Sequence, residues 1–176
     1  MSRAGALFGL SLAGLMLRGV VAEYLPAVLV PDLGLVMAVA AGLHLGSVGA
    51  ILVSFALGLV GDLLSGSLLG QQALVLMTLA GVTSLADRQL QLKRSLPLAV
   101  FAAVATVAAG ALLVASTSLY EGRLVPDAGL AVGLLLHAAV NAVVAPPLAA
   151  AVGRVLPEPA VRSGRAPGFF GEGLGR

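Results

Sequence analysis

Two carboxylates, Asp32 and Asp62, bracket about thirty residues that carry no charged side chain. At a rise of ~1.5 Å per residue, one helix of that length would far exceed a hydrocarbon layer of ~30 Å, whereas two helices would each be rather short. The midpoint favours two. Gly42, His44, Gly46, Ser47 and Gly49 cluster there, glycines that permit a sharp reversal and polar side chains suited to a membrane surface. The run therefore predicts a helical hairpin over residues 33–64. Its second arm carries small residues every four positions, Gly46, Ala50, Ser54 and Gly58, and ends at Asp62. In lipid, close van der Waals contact and interhelical hydrogen bonds drive helix association, so this ladder predicts a packing face.

Composition extends the reading to the whole chain. Of 176 residues, 59% are hydrophobic and 10% charged, and the mean hydropathy is +1.06. A soluble domain of this size cannot enclose that much apolar surface, so the fold class is all-α, a polytopic membrane protein. Cysteine is absent, which excludes disulfides and thiolate metal sites. The net charge of +2 reflects topology and gives no reason to expect nucleic acid as a partner.

Six transmembrane helices follow from the apolar runs. The first covers residues 4–22 and is interrupted by Arg18, which does not suit the apolar core of a cleaved signal peptide. Arg18 either extends its stem to the interface or pairs with Glu23, Asp32 or Asp62. Pro26 and Pro31 punctuate a short loop, and Asp32 is placed to cap the next helix. After the hairpin, residues 69–85 form a fourth span with Gln71 and Gln72 at its mouth, Pro97 opens a fifth to residue 119, and the sixth runs from 128 to about 152. The bundle thus occupies residues 1–153. A basic Gly/Pro-rich tail, 154–176, is expected to stay disordered beside the membrane.

Charge orients this arrangement. Six spans put Arg3, the Arg88/Lys93/Arg94 loop and Arg154, Arg162, Arg165 and Arg176 on one side, eight cations against Arg123 alone in a loop opposite. By the positive-inside rule both termini are cytoplasmic.

No catalytic motif occurs, and no cofactor or metal site is expected: the chain lacks H-E-x-x-H, a P-loop and G-x-S-x-G. Asp62 must face water, a partner or the bundle interior; it either marks the interface beside Ser65 or ties the hairpin to Arg18 or another subunit. His137 and Asn141, four apart in the sixth span, share a face that should point inward and find hydrogen-bond partners. Pro146 and Pro147, one turn on, deprive the carbonyls of Ala142 and Val143 of their helical donors and predict a kink.

Pro31-Asp32-Leu33, then Gly58-Leu59-Val60-Gly61-Asp62-Leu63-Leu64-Ser65-Gly66, then Leu69-Gly70, then Asn141 followed by an apolar run and prolines, resemble the bacterial rod shape-determining protein MreD family. The likeness is concentrated between residues 31 and 79. It implies a non-enzymatic subunit of the cell-elongation machinery in the inner membrane, a partner of MreC acting near MreB and RodA with its transpeptidase. It also implies an architecture like that of the S components of energy-coupling-factor vitamin transporters, whose docking face Gly5, Gly9 and Ala13 would match in spacing. A vitamin-binding S component is accordingly the alternative function, although this chain has few of the aromatic and polar side chains that line such a pocket. Arg18, Asp32, Gly58, Asp62, Gly70, His137 and Asn141 are the candidate partner-binding or structural residues.

Overall fold

The computed structural model describes residues 3–66, 68–121 and 128–156. They form six α-helices: α1 (Arg3–Tyr24), α2 (Leu33–His44), α3 (Ser47–Ser65), α4 (Gln71–Leu90), α5 (Ser95–Glu121) and α6 (Ala128–Val155), with a 3-10 turn at Ala27–Leu29. Among the described residues there is no strand. Four helices, α1, α3, α5 and α6, are long and apolar enough to cross a membrane. The other two depart from that pattern for different reasons. At 12 residues α2 rises only ~18 Å, and α4, with 20 residues, carries Gln71, Gln72, Asp87 and Arg88.

Helix ends differ from expectation where polar residues were taken as boundaries. The fourth helix starts two residues later than 69 and continues five beyond 85, so Asp87 and Arg88 are helical and not in a loop. The sixth passes through Pro146 and Pro147 and ends at Val155, two residues beyond the domain boundary at 153. Arg123, Asp127 and the tail cations Arg162, Arg165 and Arg176 lie outside the described residues.

The hairpin is present, but its reversal is narrower than the glycine cluster suggested. Leu45 closes α2 with its N–H on the Ala41 carbonyl, 2.9 Å, and Gly46 opens α3 in an extended conformation. Gly42 lies inside α2, where a Cβ would come within 2.6 Å of the Thr83 Cβ and 2.8 Å of the Ala80 carbonyl oxygen. The α3 ladder packs from Ala50 onward: Ala50, Ser54, Gly58 and Asp62 are buried, whereas a Cβ on Gly46 would meet nothing within 4 Å.

All ten residues from Gly34 through Leu43 are buried. A helix that is apolar all round can face lipid or protein, and α2 is enclosed by protein, by α1, α3, α4 and α6. Its depth follows from its neighbours. Its last residue, His44, reaches Ala149 near the end of α6, while Asp32, just before its first residue, reaches Asn141. Asn141 is the fourteenth of the 28 residues of α6, so α2 begins ~20 Å from either end of that helix. Residues 25–32, with Pro26, Pro31 and the 3-10 turn at Ala27–Leu29, are thus a segment outside the α-helices that leads into the bundle. Irregular backbone at such depth needs protein partners. Here Leu29 N–H donates to the Pro26 carbonyl at 2.8 Å, Leu33 N–H to that of Pro31 at 3.0 Å, and Val30 is buried.

Candidate functional site

The start of α2 is the polar centre of the bundle. The Asp32 carboxylate accepts from the Leu35 N–H at 3.2 Å, which caps the helix, and lies 3.4 Å from the Arg18 guanidinium of α1. Capping by Asp satisfies one of the first-turn N–H groups and sets a negative charge at the positive end of the helix. The Asp32 N–H in turn donates to Asn141 Oδ1 at 2.8 Å. A main-chain N–H can only donate, which fixes the orientation of the amide. Asn141 Nδ2 then donates to Thr106 Oγ1 of α5 at 3.1 Å, and the Thr106 hydroxyl donates to the Ala102 carbonyl at 2.7 Å. Asn141 is completely buried and Thr106 nearly so.

This chain of contacts joins α1, α2, α6 and α5. His137, one turn before Asn141, is only partly buried and lies 3.4 Å from the Val28 carbonyl, so the face it shares with Asn141 meets the irregular segment at Val28 and at Asp32. Of the alternatives for Arg18, the structure has the pairing with Asp32, whose side chain is part-buried where α2 begins. Thr106 was not singled out from sequence, because a threonine in an apolar helix ordinarily bonds its own preceding turn, and this one does that as well.

A second polar centre joins α3 to α4. Asp62 is 1% exposed, and its carboxylate accepts the N–H groups of Gly70 at 2.9 Å, Gln72 at 3.0 Å and Ala73 at 3.4 Å. These are amides at the start of α4, which lacks a side-chain cap of its own. Gly70 holds a left-handed conformation, φ 93°, that presents its N–H to the carboxylate. Gly58, one turn before Asp62, brings the two backbones together: a Cβ there would lie 2.3 Å from the Ala73 Cα and 2.6 Å from its N. Gly61 similarly makes room for the Gln72 side chain. Gly58, Gly61, Asp62 and Gly70 thus form one docking device for α4.

Gln71 completes the end of the bundle. Its Nε2 donates to the Leu113 carbonyl at 3.2 Å and to the hydroxyls of Ser116 and Thr117 on α5. The two polar centres flank an enclosed cavity lined in part by Arg18, Asp32 and Gln72, with a volume of about 20 Å³. That is the scale of one water molecule, far below the ~300–1,000 Å³ of a small-molecule site. Among the described residues no group of three or more His, Cys, Asp or Glu side chains could hold a metal ion. The side chains of Arg18, Asp32, Asn141, Asp62 and Gln71 are engaged with neighbouring helices, an arrangement that locks helix positions.

The family model described as rod shape-determining protein MreD matches residues 6–152. The matched region contains both polar centres and part or all of every helix. No curated protein and no solved structure matches the chain.

Proposed function

The chain belongs to the MreD family of rod shape-determining proteins, and from that premise we propose that it is a non-enzymatic subunit of the cell-elongation complex that binds MreC. Family membership over residues 6–152 carries this reading. The protein is a multi-pass membrane protein with a role in rod-shape determination. In the proposed role it works by holding MreC, with MreB, RodA and the transpeptidase in the larger assembly, and so supports peptidoglycan synthesis.

Two observations support a scaffold. The buried polar groups tie helices to one another, and the cavity between the two polar centres, beside Arg18 and Asp32, has room for about one water molecule, so these groups serve helix packing. The proposed setting is the inner membrane with both termini cytoplasmic, in keeping with the excess of Lys and Arg in the α4–α5 connection and the two terminal segments.

Depletion of the protein in the bacterium that carries it tests the cellular role. Rods should round up and recover on re-expression; unchanged rods after complete depletion would contradict the proposal.

A further inference from the structure

A different part of the bundle carries chemistry that the polar centres do not use. Where α2 ends, α5 begins and α6 passes alongside, a pocket of about 180 Å³ is lined by the polar side chains of His44, Lys93 and Ser95 together with the apolar ones of Leu43, Leu98 and Pro146. The His44 ring is held in the wall by its Nε2, which donates to the Ala149 carbonyl at 3.1 Å and packs over Gly153. Lys93 is exposed at the rim. Lys93 and Arg3 both lie within electrostatic reach of His44, with Asp87 as the opposing charge. The Arg3 Nε is buried and finds no hydrogen-bond partner among the described residues. The local balance is cationic, and an anion would be stabilised there.

We propose that this pocket binds the phosphate of an anionic membrane lipid, with Lys93 as the principal charge and the Leu43, Leu98 and Pro146 wall against the lipid's glycerol and first methylenes. The half-apolar lining separates a lipid from a free anion, which would gain nothing from that wall. Its position at the helix ends puts it at headgroup level, where basic recesses between helices select anionic lipids. A cation on a convex surface attracts any anionic membrane, but a recess in which the Ser95 hydroxyl can donate to the phosphate and the fixed His44 ring can accept, through Nδ1, from a headgroup hydroxyl also orders the headgroup. The inference is independent of MreC binding.

The test uses the full chain in neutral detergent after removal of lipid, following thermal unfolding as phosphatidylglycerol, phosphatidylcholine or inorganic phosphate is added. Phosphatidylglycerol should raise the midpoint saturably and phosphatidylcholine should not. Lys93→Ala should weaken the apparent phosphatidylglycerol affinity about five-fold, while Arg94→Ala, an exposed cation of the same connection outside the pocket, should change it less than about two-fold. Native mass spectrometry of the unmodified protein, which needs no variant, should show anionic lipid retained in preference to zwitterionic lipid. Equal effects of the two lipids, or equal losses in the two variants, would overturn the proposal. So would displacement of phosphatidylglycerol by inorganic phosphate at matched concentration, which would make the pocket a site for the free anion.

Discussion

Asn141 accepts the main-chain N–H of Asp32 at 2.8 Å, a contact between residues 109 positions apart that closes the exposed end of a helix beginning deep in the bundle. The same amide donates to Thr106, so one side chain satisfies a backbone donor on α2 and a hydroxyl on α5. Replacing it with leucine leaves the Asp32 N–H unpaired where water is scarce. Asn141→Leu should therefore cost about 1–3 kcal/mol of folding stability, measured by unfolding in mixed micelles, and His137→Ala, at a partly exposed site, should cost less. Equal stability of Asn141→Leu and the natural protein would contradict the role assigned to the amide.

Asp62 serves three amides at the start of α4. Asp62→Ala removes every acceptor and should destabilise by about 1–3 kcal/mol, with amide hydrogen exchange at Gly70, Gln72 and Ala73 accelerated. Asp62→Asn keeps one carbonyl oxygen and should fall between the two. Unchanged exchange at those amides in Asp62→Ala would show that the cap contributes nothing.

Gly58 and Gly46 belong to the same four-residue ladder yet predict opposite outcomes. A methyl at Gly58 collides with main-chain atoms of Ala73 that cannot rotate away, so Gly58→Ala should cost about 1–3 kcal/mol or more. Gly46→Ala, with open space around it, should stay within about 1 kcal/mol. Similar melting of the two variants would refute the backbone contact.

The absence of cysteine allows sidedness to be read with single introduced thiols. Leu69→Cys, before α4, and Arg94→Cys, after it, are both exposed positions. In intact cells an impermeant reagent should label the first and spare the second. Labelling of both, or the reverse pattern, would contradict cytoplasmic termini.

The helices and the hairpin were legible because apolar runs and glycine punctuation are local signals. The depth of α2 was not. Pro31-Asp32 reads as an interfacial turn, and hydropathy alone cannot distinguish a residue facing lipid from one enclosed by other helices, which is the condition of Val36 and Val39. The inward face of Asn141 was evident from its polarity, but its acceptor role toward Asp32 depends on a chain reversal that has no sequence signature. Asp62 was recognisable as costly to bury, while its partners are main-chain amides and so invisible to any reading of side-chain types. For α4 the polar residues at its ends made the helix look shorter at one end and longer at the other than it is.

The most direct test of the scaffold assignment is co-purification of MreC with this protein from membranes, comparing the unmodified chain with Arg94→Ala, an exposed position outside the lipid pocket, as a folded surface control. The account predicts that MreC co-elutes with the unmodified protein through size-exclusion chromatography and that no vitamin is carried along. A folded, monodisperse protein that retains no MreC, yet binds a vitamin with nanomolar affinity, would contradict it and favour a transport subunit.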